Sequence, residues 1–182
     1  MISCNHELKI TEVDGLNVVR WDLIPGGVKF LCLRDFLKED VKENIIVYCA
    51  HEFGHSSLAL GLAGQETNKK VVLFFAGEKV NTYVQKEVDK LSTVESHFLS
   101  DIKHQSELFD TAKEYAEKHD ARYLPVGFDE PAFTKRLTQL AESLGVNPKE
   151  VWVPAGSGTT ARCLRAAWPK RKFCVIGGGG GG

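Results

Sequence analysis

Three short segments of this chain carry residues whose types and spacing could do chemistry. In Pro25-Gly26-Gly27-Val28-Lys29 a glycine turn delivers a lysine onto the start of a helix. A lysine amine held in this way can condense with an aldehyde. A cation in the first helical turn is unfavourable with respect to the helix dipole, so Lys29 gains a reason to be there if it reacts or faces an anion. In Ala155-Gly156-Ser157-Gly158-Thr159-Thr160 a second glycine-rich turn precedes a helix. Glycines let the backbone approach a phosphate, the helix N-terminus supplies N–H groups, and the hydroxyls of Ser157, Thr159 and Thr160 add donors. The turn has neither the Walker lysine nor the dinucleotide-fingerprint spacing, and a plain strand-to-helix turn with a threonine N-cap reads the same way. An amine near one end and a phosphate cradle near the other suit one small ligand that bears both an aldehyde and a phosphate.

The third segment, His51-Glu52-Phe53-Gly54-His55, matches H-E-x-x-H, in which two histidines one helical turn apart bind zinc and the glutamate activates water. That chemistry needs a continuous helix, whereas the residues before His51 are β-branched and strand-like. The position six residues beyond His55 is Gly61, so the extended form with a third histidine fails. A zinc hydrolase through His51, Glu52 and His55 therefore stays a minor alternative, and no metal is expected.

Bulk properties narrow the class. With 182 residues the chain is long enough for one well-buried core. Acids and bases are interspersed and sum to a net charge of −1, which leaves no electrostatic footprint for a nucleic-acid backbone. The five cysteines are odd in number and lack CxxC spacing, which reads as reduced thiols rather than a disulfide framework or zinc cluster. The N-terminus has no signal pattern and no apolar run could span a bilayer, so the expected location is cytoplasmic, with no membrane partner. Residues 1–176 are expected to form a single compact domain. The six glycines Gly177 to Gly182 read as a tag, linker or truncation scar.

The elements that must position these residues alternate between strand and helix. Strands are expected at Leu16 to Asp22, Ile45 to Ala50, Val71 to Phe75, Val94 to Leu99, Arg122 to Pro125, Glu150 to Val153 and Phe173 to Ile176. Helices are expected from about Val28 to Lys38, through Leu58 to Ala63, near Thr82 to Leu91, from Gln105 to Lys118, from Pro131 to a stop at Gly145, and from Thr160 to Ala167. The runs Ile45 to Ala50 and Val71 to Phe75 are continuously apolar, as in strands buried on both faces of a parallel sheet. The fold class is α/β, a three-layer α/β/α arrangement with a mostly parallel sheet. In such a sheet ligands bind where strands end and turn into helices, which is where all three segments fall. Tyr48, Trp152 and Trp168 read as core or near-core aromatics.

In order along the chain, the three turns resemble the fold-type II pyridoxal phosphate (PLP) enzymes, the tryptophan synthase β and cysteine synthase superfamily. The closest branch is that of aminocyclopropane-carboxylate deaminase and D-cysteine desulfhydrase. The segment Val18 to Lys29 is similar to that around the family's PLP lysine. Phe53-Gly54-His55-Ser56 and the helix after it are similar to the Ser-Gly-Asn loop, with His55 where the family has asparagine. Val153 to Thr160 looks like its phosphate loop. The family's partner for the pyridine nitrogen comes from a later strand, so the resemblance implies a compact or C-terminally truncated variant.

The resemblance implies a PLP-dependent lyase-like enzyme in which Lys29 forms the Schiff base and then moves a proton at or near the substrate α-carbon. His55 would lie by the ring hydroxyl, and Gly156, Ser157, Gly158, Thr159 and Thr160 would hold the phosphate. Glu52, Phe53, Gly54, Ser56 and Ser57 would contact a substrate that is an amino acid or an amine-bearing derivative. Glu52 would repel a plain carboxylate, which hints at a substrate with an additional amine or a larger group. Elimination, deamination and decarboxylation all remain open. A homodimer follows by resemblance, and a PLP-fold binding protein without catalysis is the runner-up.

Overall fold

The computed structural model describes residues 8–102 and 104–177. The chain begins with a hairpin, β1 (Ile10–Val13) and β2 (Leu16–Val19), paired antiparallel through Asp14 and Gly15, both at positive φ. Asp-Gly between two short apolar runs is the signature of such a tight turn. The expected strand from Leu16 to Asp22 is therefore shorter, because it ends at Val19 and a single 3-10 turn occupies Trp21–Leu23. Then follow α1 (Gly27–Glu39), β3 (Ile45–Cys49), α2 (Ser56–Thr67), β4 (Lys70–Ala76), α3 (Tyr83–Val88) and β5 (Val94–Leu99). The remainder is α4 (Gln105–Lys118), β6 (Arg122–Leu124), α5 (Pro131–Glu142), β7 (Glu150–Ala155), α6 (Thr159–Ala167) and β8 (Lys172–Gly177). The rest of the glycine tail lies outside the described residues.

Four parallel strands form the central sheet in the order β5-β4-β3-β6. Alternation along β3 and β4 decides which side chain meets which layer. Ile46, Tyr48, Val71, Leu73 and Phe75 point into a core shared with α1, α2, α3 and α5. Val47, Cys49, Val72 and Phe74 point the other way, onto Leu108, Ala112 and Ala116 of α4. Both faces of the sheet are thus covered, as the apolar runs in these strands require. The architecture is α/β with a parallel sheet flanked by helices.

β7 and β8 pair parallel in a sheet of their own. Only one face of that pair is packed, by Ala141 and Leu164 around Val153. Trp152, expected in or near a core, is 63% exposed, because it alternates with Val153 and points to the uncovered face. Trp168 packs against the edge of the same small cluster and Tyr48 is fully inside.

Lys69 is only 8% exposed yet charged, and its ammonium donates to the carbonyls of Val41 (3.0 Å) and Glu43 (2.7 Å). It fastens the α1–β3 connection to the start of β4.

Candidate active site at the ends of β3 and β6

The strand order reverses between β3 and β6: from β3 the chain moves outward to β4 and β5, then returns to the other side of β3. Such a switch point opens a crevice at the carboxyl ends of the two strands. Tyr48, near the end of β3, stacks on Phe128, just beyond β6, with ring centroids 4.7 Å apart. The backbone N–H of Gly127 donates to the Tyr48 hydroxyl at 3.4 Å. Gly127 and Phe128 both adopt positive φ, which turns the chain sharply after Pro125.

Lys29 reaches this crevice from α1. Gly26 and Gly27 both have positive φ, and a Cβ on Gly26 would stand 2.9 Å from Phe30 Cβ and 3.0 Å from Ala59 Cα. Only glycine lets the turn lie this close to α2. As a result the first turn of α1 faces the N-terminus of α2, and Lys29 Nζ donates to Ser56 Oγ at 3.1 Å. The amine also lies 5.8 Å from the centre of the Phe128 ring. Among the described residues no carboxylate pairs with it. Burial holds Lys29 below the ordinary lysine value, which favours the neutral amine. The Tyr48 phenol's own value is pushed up by burial and pulled back by Gly127 and by Ser56 beside it.

The turn after β7 approaches the same place. A Cβ on Gly127 would overlap Ser157 Oγ and stand 2.5 Å from Thr159 Oγ1, so Gly127 lies directly against this turn. The hydroxyls of Ser157 and Thr159 are 3.3 Å apart. Gly158, at φ +80°, caps α6 with no side-chain hydrogen bond. Gly156 and Gly158 have open space where a Cβ would be. The N–H groups of residues 157–160 find no protein acceptor among the described residues. Unfilled space over glycines and unpartnered N–H groups at a helix start fit a phosphate.

The structure therefore brings Lys29, Ser56, Tyr48, Gly127 and the 157–159 turn into one neighbourhood. The other residues singled out in the sequence are distributed around it. His55 is exposed at the N-cap of α2. Ser57 is buried and its hydroxyl donates to the Gly54 carbonyl at 3.0 Å, so it closes the loop. Phe53 is 62% exposed beside the His51 ring, and its N–H donates to His51 Nδ1 at 3.3 Å. Glu52 is half-buried, with its backbone carbonyl held by Thr82 Oγ1 at 2.9 Å. Residues 51–55 form a turn and α2 starts only at Ser56, so His51 and His55 do not stand on successive turns of a helix as the zinc motif needs. Among the described residues no group of three metal-ligating side chains comes together. The sequence reads Tyr48 as a core aromatic and does not single out Gly127 or Phe128; the signal that could find them is that ligands gather at strand carboxyl ends, applied to the strands at Ile45–Cys49 and Arg122–Leu124.

No protein-family model matches this sequence, and no curated protein sequence does. Solved structures do match. A structure of an ACC deaminase homologue superposes with a TM-score of 0.70 at 20% identity, covering 83% of this chain and 50% of its own. The processed form of threonine deaminase isoform 2 from Solanum lycopersicum gives 0.67 at 16% identity, covering 88% and 46%. The O-acetylserine dependent cystathionine beta-synthase from Helicobacter pylori gives 0.65 at 23%, covering 87% and 56%. The fold is that of the fold-type II PLP enzymes. This chain spans about half the length of these structures. At such identities the likeness is one of fold, and within fold type II the chemistry must be argued from the chain's own residues.

Proposed function

We propose that this chain carries the lysine half and the phosphate turn of a PLP-dependent lyase-like site acting on an amino acid or amine. The observation that carries the proposal is the half-buried Lys29 amine, with no carboxylate partner among the described residues, placed in a crevice that a phosphate-suited turn also borders. When bound, PLP supplies an aldehyde to condense with amines and a ring to accept electrons.

The chain's residues supply the rest. Backbone N–H groups and hydroxyls of 157–160 hold the phosphate. Lys29 is the residue whose amine takes the aldehyde. With its amine free, Lys29 Nζ would move a proton at the substrate carbon, a role that needs a neutral amine near neutral pH. Ser56 accepts from that amine and fixes its direction, and the Tyr48 phenol beside it is held by the Gly127 N–H. The stacked Tyr48 and Phe128 rings keep water from this side of the crevice.

The test is absorbance of the chain with added PLP, then borohydride reduction and peptide mass mapping. A near-visible band and a pyridoxyl adduct concentrated on Lys29, both lost in Lys29→Ala, are expected. An adduct spread over surface lysines, or none, would overturn the proposal.

A further inference from the structure

A cavity of about 310 Å3 lies at the carboxyl ends of β3 and β4, against the start of α4. Neither Lys29 nor Ser56 lines it, but Tyr48 does, so the two spaces share that residue. Ile102, Leu108 and Phe109 give it apolar wall, and Glu52, His104 and Gln105 give it polar groups. Its size is at the lower end of small-molecule sites, where a few placed polar groups among apolar ones fix the ligand.

The titratable side chains of the lining include Glu52 and two imidazoles, His51 and His104. Glu52 is its acid, and no lysine or arginine is among the described residues that line it. The backbone of Glu52 is held in place by Thr82, while its carboxylate has no ion-pair partner among the described residues. The nearby salt bridges go elsewhere: Lys79 pairs with Asp89 and Lys90 with Glu87. A carboxylate beside apolar wall with no ion-pair partner gains from a cation brought by a ligand.

We propose that this cavity is a subsite for a second, positively charged nitrogen of the substrate, with Glu52 as its counter-charge. The apolar wall then takes the methylenes between the two nitrogens, and the substrate class is an amino acid or amine with a distal ammonium. This rests on the reading that the Lys29 crevice takes the first nitrogen. A substrate with a bare apolar side chain would leave Glu52 uncompensated, so the subsite discriminates by charge.

The experiment measures binding of n-butylammonium and of the neutral n-butanol to the full chain, by calorimetry or amide chemical shifts, without PLP. At least tenfold tighter binding of the ammonium is expected, weakening as salt is raised. Glu52→Gln should abolish the preference and Glu52→Asp should keep part of it. Glu87→Gln, at a surface glutamate paired with Lys90, should leave it unchanged. Equal binding of the two probes by the unaltered chain would overturn the subsite whatever the variants do, as would a preference that survives Glu52→Gln. The PLP adduct at Lys29 is scored separately. An ammonium preference without an adduct leaves the cation site standing and overturns only the reading of the Lys29 crevice. An adduct without the preference does the reverse.

Discussion

Gly127 lies so close to Ser157 that a Cβ on the glycine would overlap the serine hydroxyl. This contact joins the end of β6, and with it the Tyr48–Ser56–Lys29 network, to the phosphate-suited turn after β7. It also makes the glycine irreplaceable on two counts, since its φ is +72°. Gly127→Ala should cost roughly 1–3 kcal/mol in strain. The same change should weaken PLP or inorganic phosphate binding, with stability read by urea denaturation and binding by calorimetry. Unchanged phosphate binding in a folded Gly127→Ala chain would show that the contact does not shape the turn.

Gly156 makes the complementary case. A Cβ there meets nothing within 4 Å, and its φ is not in the left-handed region. Gly156→Ala should leave stability within about 0.5 kcal/mol. It should nonetheless weaken phosphate binding, because the methyl enters the space that the phosphate would occupy. Calorimetry with PLP and with inorganic phosphate checks this.

Tyr48→Phe keeps the stacking on Phe128 and removes the acceptor of the Gly127 N–H. A buried donor without a partner costs about 1–3 kcal/mol. Beyond stability, Ser56 loses the phenol hydroxyl beside it, so the Lys29 amine should titrate differently. The pH dependence of the borohydride-trapped adduct should shift in Tyr48→Phe, whereas a purely structural tyrosine would lower the melting temperature and leave that profile in place.

Lys29 is held below its ordinary value by burial, so between its folded and unfolded values the unfolded chain binds more protons than the folded one. Stability contributed at this position therefore rises with pH across that window. Lys29→Met removes the buried charge. The variant should be more stable than the parent at neutral pH, and the difference should shrink as pH rises toward 10.5, the ordinary lysine value. Denaturation at a series of pH values measures it, and a pH-independent difference would contradict the burial of the amine.

Lys69 is the opposite kind of buried lysine, one already satisfied by two carbonyls. Lys69→Met leaves the Val41 and Glu43 carbonyls without that donor and should destabilise by roughly 1–3 kcal/mol. PLP binding should be unchanged once the chain is folded, since these groups lie at the other ends of the strands.

The strands with continuous apolar runs were readable because burial on both faces removes any need for polar residues. β5, α4 and α6 were readable because their hydrophobic spacing and their flanking turns agree. The hairpin is only half legible: its second strand reads on to Asp22, whereas it ends at Val19 and the chain makes a 3-10 turn from Trp21. Trp152 was misplaced because β7 has one strand partner and one packed face, a tertiary fact that a window of apolar residues does not carry. Lys29 and the 156–160 turn stood out by glycine placement alone. Tyr48 did not, because a tyrosine inside an apolar strand looks like packing until the backbone N–H that meets its hydroxyl, from Gly127 far along the chain, is known.

Lys29 belongs to the α1–α2 layer, whereas the unpartnered N–H groups of 157–160 hang from a separate two-stranded sheet, and Gly127 touches the turn that carries them. A small molecule gripped at both ends would span that seam as a removable cross-link. Its binding would then be felt well beyond the crevice, as resistance of the whole chain to unfolding, with the gain growing with the logarithm of ligand concentration.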